Sequence, residues 1–294
     1  MRKISKAVVA CGGYGTRFLP ITKAVPKEML PIVDKPTVAY IVDEMIDSGI
    51  KDILIILGNG KESIRKYFSK RLDLEKFLLD NKNKEALNLI QGISRNANIS
   101  FVIQERPNGS ADAVYHAKRF TQNEPFVLAW GDDLIFSYAP IARQLIETYD
   151  ILQRSILGVQ EFLGSDITKY GVINPVLNAE NMPKRTHKVK EIVEKPPLES
   201  LPSRFAALGR YILTPDIYQA IERLKPAKNG EYQLTDAINH LANEGKMHAY
   251  EFTGQRYDLG DKFGFLKANI EFALRNNELQ DKTKDYLKHI SKII

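Results

Sequence analysis

The sequence predicts an α/β protein: a doubly wound, mostly parallel sheet with an added smaller mixed sheet and C-terminal helices. Three observations predict it. Short, uninterrupted apolar runs recur in the first half, as strands covered on both faces require. Stretches of helical length lie between them. Prolines and glycines stand where such helices would start and stop.

Residues 6–10 read as a buried first strand, and Ile53-Leu54-Ile55-Ile56-Leu57 makes 52–57 another. Further strands are expected at 100–104, 125–130 and 155–160. A helix at 37–48 follows Pro36, which suits a first turn, and stops at Gly49, which suits a C-terminal cap. Residues 110–120 and 141–152 also read as helices. This β-α-β-α order calls for parallel strands, and such sheets bind ligands at the carboxyl ends of their strands. The second half is less regular. Residues 170–177, 187–194 and 206–213 read as strands of the added sheet. The polar excursion at 178–185, with Pro183, reads as a surface hairpin. Helices are expected at 215–224 and 234–243, and everything from Lys262 reads as helical. Residues 71–98 form a further helical stretch, long for a crossover; plain packing is the simpler reading, an inserted subdomain or an interface the other.

The 294 residues allow one large domain or two smaller ones at roughly 100–200 residues each. Hydrophobic residues make up 44% and charged ones 27%, which excludes global disorder. Lys plus Arg total 42 against 36 Asp plus Glu, a formal charge of +6. That mild excess suits an anionic small substrate as well as nucleic acid. The basic residues are dispersed and runs of stacking aromatics are absent, so nucleic acid is not an expected partner. Cys11 is the single cysteine, so no disulfide can form within the chain and a reducing, cytoplasmic compartment is expected. No apolar run approaches the ~20 residues of a spanning helix. The apolar stretch at 7–10 is shorter than the ~7–15 residues of a secretory signal core. No membrane role is expected.

The first strand ends in Cys11-Gly12-Gly13-Tyr14-Gly15-Thr16-Arg17. A glycine-rich loop in that place can wrap backbone N–H groups around phosphates. It is not a dinucleotide fingerprint, since Phe18 stands where a third glycine is needed, and it lacks the Gly-Lys-Ser/Thr of a P-loop. Arg17, Lys23 and Lys27 follow, among Pro20, Pro26 and Pro31. The prolines forbid one continuous helix. A fixed, extended loop lined with cations is expected, able to hold a triphosphate and neutralise departing pyrophosphate. Gly131-Asp132-Asp133 closes a strand, and carboxylates there, beside a phosphate loop, suit a Mg²⁺ bridging phosphate oxygens. Gln104 offers a donor and an acceptor to a base. Glu194-Lys195-Pro196 offers an acceptor for sugar hydroxyls and a cation for a phosphate. The five histidines show no metal-ligand spacing. Cys11 is expected to pack beside the glycines, since no Cys/His arrangement is legible.

The run from Gly13-Tyr14-Gly15-Thr16-Arg17 to Asp34-Lys35-Pro36 closely resembles the bacterial UTP–glucose-1-phosphate uridylyltransferases, a family of sugar-nucleotide pyrophosphorylases. Seven further blocks resemble it in order, over nearly the whole chain: 104–114, Gly131-Asp132-Asp133, Lys169-Tyr170-Gly171, Val193-Glu194-Lys195-Pro196, Gly209-Arg210-Tyr211 with its continuation to Pro215, Gly230-Glu231-Tyr232 to Asp236, and Arg256-Tyr257-Asp258 to Lys262. The resemblance implies a Rossmann-like nucleotidyltransferase fold. It implies a catalytic domain at 1–261, with a nucleotide half to about 135 and a sugar-phosphate half after it. It leaves 262–294 as C-terminal helices and a candidate oligomer contact, in a dimer or tetramer.

The implied reaction joins UTP and α-D-glucose 1-phosphate to give UDP-glucose and pyrophosphate, by in-line attack of the sugar phosphate on the α-phosphorus. The implied catalytic residues are Arg17, Lys27 and Lys195. Cys11, Gly12, Gly13, Gly15, Thr16, Gln104, Gly109 and Asp132 would bind the nucleotide. Tyr170, Gly171, Glu194, Lys195, Leu208 and Gly209 would bind the sugar phosphate, and Asp132 and Asp258 would hold Mg²⁺. The chain departs from the family pattern in three places. Cys11-Gly12 replaces two alanines. Leu208 replaces a smaller aliphatic residue. Ser110-Ala111-Asp112-Ala113 replaces a more apolar stretch with a histidine, and is similar to a run in ADP-glucose pyrophosphorylases. Two rivals are a metal-dependent glycosyltransferase, which would not need the cationic loop, and a catalytically silent regulatory relative, which would be expected to lose loop or metal residues.

Overall fold

The computed structural model describes residues 3–94, 97–177, 179–180, 182–227 and 230–293. Its strands, in chain order, are β1 (Lys6–Cys11), β2 (Pro31–Ile32), β3 (Lys35–Pro36), β4 (Asp52–Gly58), β5 (Asn98–Gln104), β6 (Phe126–Trp130), β7 (Asp133–Phe136), β8 (Ser155–Glu161), β9 (Gly171–Pro175), β10 (Thr186–Glu194), β11 (Phe205–Leu213), β12 (Met247–Glu251) and β13 (Gln255–Asp258). Nine of them form one sheet in the order β5-β4-β1-β6-β11-β8-β12-β10-β9. The four strands β5, β4, β1 and β6 are parallel, the doubly wound half the sequence predicts. β11 then runs antiparallel to both β6 and β8. β12 is parallel to β8, while β10 is antiparallel to both β12 and β9.

The sheet is therefore mixed rather than mostly parallel. The strands expected to form a smaller sheet of their own extend the main one instead. β11 explains this: eight of its nine residues are buried, so it needs a neighbour on each edge and cover on each face, and cannot serve as a sheet edge. Two short ladders stand apart, β7 with β13 and β2 with β3. The alternation of a strand distributes β1 to both cores. Ala7, Val9 and Cys11 pack on one side of the sheet, Val8 and Ala10 on the other.

The cationic segment is not extended. It folds as three 3₁₀ turns, Thr16–Phe18, Ile21–Lys23 and Lys27–Met29. Pro20 and Pro26 stand just ahead of the second and third, which keeps each turn short. The helical stretch 71–98 is two helices, Leu72–Asp80 and Lys84–Gln91, the second capped by the Asn83 side chain; Arg95 and Asn96 lie outside the described residues. The 110–120 stretch divides into Ser110–Tyr115 and Lys118–Thr121. In the polar excursion, Asn178 and Asn181 lie outside the described residues.

The C-terminal part is two helices, Lys262–Arg275 and Gln280–Ile290. Between them the Asn276 side chain accepts from the backbone of Glu278 and Leu279, a local bond that competes with the helix. The first of these helices packs within the chain. Ala268 is buried with Ile32, Leu134, Tyr257 and Leu259. Phe265 meets Phe18 edge-on at 5.6 Å, and Asn269 Oδ1 accepts the Val33 N–H at 2.9 Å. Gln280–Ile290 has no buried residue. Among the described residues, no helix is long and apolar enough to cross a membrane.

Candidate active site

The carboxyl ends of β1, β4, β5 and β6 lie at one edge of the sheet, as parallel pairing requires. The glycine turn leaves β1 there, and the three cationic turns fold back over it. Lys27 Nζ reaches Asp132 Oδ2 at 2.5 Å, so the loop is tied to the acidic end of β6. Burial works against the Lys27 charge, but Asp132 and Glu28 more than offset it and hold its pKa above the usual lysine value. Glu28 is itself buried. Lys61, just past the end of β4, donates to both Glu28 oxygens at 2.6 and 2.8 Å and to Gly12 O at 2.9 Å. One buried cation thereby pins the glycine turn to the cationic turns.

Arg17 lies on the exposed side of the first turn, and its Nη1 donates to Gly260 O at 3.1 Å. Gly260 N donates to Asp258 Oδ1 at 2.9 Å, and Tyr170 OH to Asp258 Oδ2 at 2.6 Å. Although burial opposes it, these donors, with the Arg256 charge, hold the Asp258 carboxyl below the usual range. Asp258 pairs with Asp133 across the β7–β13 ladder, one residue from Asp132. Asp133 is buried against Arg256, whose Nε is 2.7 Å from Oδ1 and whose guanidinium lies over the Tyr170 ring. Gly13 and Gly15 both face Lys27, and Thr16 opens the first turn.

A cleft of about 320 Å³ continues from this point between β6, β9, β10 and β11. Trp130, Tyr170, Gly171, Glu194, Gly209 and Tyr211 line it. Gly209 has φ +44°, and a Cβ there would come within 2.6 Å of the Asp133 carboxyl; only glycine lets β11 pass so close. Glu194 Oε2 accepts from the Thr235 hydroxyl at 2.8 Å. Lys195 stands exposed on the rim, 3.7 Å from Glu194 Oε1, with its backbone at φ +46° and its N–H bonded to Tyr170 O. A non-glycine residue held in the left-handed region marks a place where surrounding structure dictates the backbone.

On the nucleotide side, Gln104 ends β5 and is buried. Gly109 opens the next helix at φ +106°, where a Cβ would lie 2.4 Å from Tyr232 O. The backbone of 230–234 therefore closes directly onto the Gln104 turn.

Leu208 and Cys11, named for the sugar and the nucleotide, both keep their side chains out of the cleft, Cys11 packing beside the glycines as expected. Leu208 does not face the cleft. Successive residues of β11 point to opposite faces, so Ala207 and Gly209 line the cleft while Leu208 is wholly buried in the other core. The Cys11 side chain lies beneath the turn, against Gly131. Burial, with the Glu28 carboxylate nearby, pushes its thiol well above the ordinary value, so only its backbone is available to a ligand. The sequence points to the carboxylates of Asp132 and Asp133 alike, and the structure engages Asp133 with Arg256; Glu28, Lys61 and Arg256 are not among the expected site residues. Lys61 carried a usable signal, since it follows a parallel strand at the ligand-binding edge.

A nucleotidyl transferase family model matches residues 6–274. A UTP–glucose-1-phosphate uridylyltransferase of Staphylococcus saprophyticus is 42% identical over 290 residues, covering 99% of each chain. That of Staphylococcus epidermidis is 42% identical over 291 residues, again covering 99% of each. Among solved structures, a UDP-glucose pyrophosphorylase complexed with UDP-glucose has a TM-score of 0.83 at 37% identity, over 93% of this chain and 100% of that one. A UTP-bound enzyme of the same type from Acinetobacter baumannii has a TM-score of 0.88 at 32% identity, over 97% and 98%. The fold and the loop-and-carboxylate edge define a nucleotidyl transferase. The chain belongs to that family and, within it, to the UTP–glucose-1-phosphate uridylyltransferases.

Proposed function

We propose that this site transfers the uridylyl group of UTP to glucose 1-phosphate, giving UDP-glucose and releasing pyrophosphate. The observation that carries this reading is the Lys27–Asp132 contact. It brings the cationic turns, the glycine turn and the acidic end of β6 to one place, at the mouth of a cleft sized for a sugar phosphate. The glycine turn and Thr16 would receive the triphosphate, and Gln104 and Gly109 the base. Tyr170, Gly171, Glu194 and Gly209 would hold the sugar, with Lys195 over its phosphate.

A sugar phosphate has a second pKa of about 6, so the nucleophile is already a dianion at neutral pH and the chain need not remove a proton. Its work is alignment and charge neutralisation. Arg17 and Lys27 stabilise the charge that builds on the transferring and leaving phosphates. Asp132 and Asp258 are the residues that would hold a divalent cation, Mg²⁺ by donor chemistry. That ion asks for one or two carboxylates beside substrate phosphates and waters, and Asp132 already carries a cation, Lys27. When bound, the metal would supply charge neutralisation across phosphate oxygens. A cytoplasmic homo-oligomer, with Gln280–Ile290 among its contacts, completes the proposal.

The direct test is pyrophosphate release from a panel of nucleoside triphosphates with glucose 1-phosphate. UTP should be the preferred donor, and release without glucose 1-phosphate should be negligible. Product formed without pyrophosphate would reject the reading. Arg17→Ala should lower turnover by about 10²-fold, with KM for glucose 1-phosphate little changed; near-normal turnover would remove Arg17 from this role. The pH profile of kcat/KM should fall only below about pH 6, where the sugar phosphate gains a proton. No alkaline limb should appear up to about pH 8.5, since the Lys27 ammonium and the Cys11 thiol are both held above their ordinary values.

A further inference from the structure

We infer that Asp112 is a positioning residue for base selection, holding the Gln104 amide with its oxygen toward the nucleotide so that the site takes uracil and refuses cytosine. The inference rests on the uridylyl-transfer reading above. Gln104 Nε2 donates to Asp112 Oδ2 at 2.7 Å and to Gly109 O at 3.2 Å. Both amide hydrogens are thereby committed. A carboxylate and a carbonyl only accept, so turning the amide over would set its oxygen against two acceptors in a buried place, an arrangement folding avoids. Gln104 Oε1 points the other way, 3.9 Å from where a Cβ on Gly12 would stand. Among the described residues, no protein donor reaches it.

A pyrimidine laid between the Gly12 and Gly109 turns would therefore meet a fixed acceptor. Uracil offers an imide N3–H there. Cytosine, of the same size, offers a bare N3, and lone pair would face lone pair. A site built to receive a particular N–H rejects an analogue lacking it far more strongly than an apolar pocket rejects a change of size. The device is blind to carbon 5, so thymine is not excluded by it.

Asp112 is itself well placed for this. The helix Ser110–Tyr115 is docked by Ala111 N donating to Tyr232 O and Leu234 N donating to Ser110 Oγ, each at 2.9 Å. His116 Nε2 stands 3.7 Å from the same Asp112 oxygen.

The test measures kcat/KM for UTP and for CTP by pyrophosphate release, with equilibrium binding of both nucleotides as a second readout. The intact protein should favour UTP by about 10²-fold or more. A protein showing no such preference would overturn the uridylyl reading itself. Asp112→Ala frees the amide to turn, and the UTP-to-CTP ratio should fall about tenfold or more, mainly through nucleotide KM. Asp112→Asn, whose amide oxygen can still accept from Nε2, should keep most of the preference. Asp112→Ser, too short to reach, should behave as the alanine variant and replaces it if that variant does not fold. A merely structural role would weaken UTP and CTP together. An unchanged ratio in the alanine or serine variant, or an asparagine variant as unselective as they are, overturns the inference.

Discussion

Asp132→Asn is expected to lower turnover by about 10²- to 10³-fold while leaving the fold intact. Asparagine keeps the size of the side chain and an oxygen that Lys27 can still reach, so the tie between loop and strand end survives. What is lost is a negative charge at the point where, on our reading, a divalent cation meets the phosphates. Asp258 alone would then hold the ion, with Lys27 beside it less neutralised. The measurement is turnover across a Mg²⁺ titration, run beside thermal unfolding. The variant should need more Mg²⁺, reach a lower plateau and melt near the parent temperature. A titration that overlays the parent's would remove Asp132 from the metal site.

Glu44→Ala should be the most destabilising single change outside the site, by about 3–5 kcal/mol. Arg210 is fully buried, and among the described residues the carboxylate its guanidinium bonds is that of Glu44. Nε lies 3.1 Å from both Glu44 oxygens, and Nη2 2.7 Å from Oε2. Glu44 Oε1 also accepts the Ala142 N–H at 3.1 Å. The pair thus joins the helix Thr37–Asp47, the helix Ile141–Leu152 and β11, next to Gly209. Alanine would leave a buried guanidinium without its bonded counter-charge, the nearby Asp133 being already taken by Arg256. At roughly 2–4 °C per kcal/mol for a chain of this size, the melting temperature should fall by about 10 °C. The double variant Glu44→Leu/Arg210→Met removes both charges and should recover most of the loss. A single variant melting within a degree or two of the parent would show that the pair contributes little.

β1, β4 and β6 were legible because they are nearly unbroken apolar runs, and burial on both faces leaves no other pattern for them. The joining of both halves into one sheet was not, because pairing partners far apart in sequence leave no local trace. β7 and β13, four residues each, are too short to show alternation, yet they carry Asp133 and Asp258. The loop's cations were legible from the prolines among them, whereas its folding into tight turns depended on Glu28 and Lys61, a contact across 33 positions. Leu208 shows the opposite failure. The motif marked the right strand, and the pleat, which the motif does not encode, turned that side chain away.

The helix Lys262–Arg275 begins at Asp261, whose side chain accepts the Gly264 N–H at 2.9 Å, three residues after Asp258. Its Phe265 rests on Phe18, one residue after Arg17. The helix is thus a brace that ties the strand end carrying Asp258 to the turn carrying Arg17. Cutting the protein at 261 would not yield a trimmed catalyst, since the carboxylate and the guanidinium would lose the strut between them.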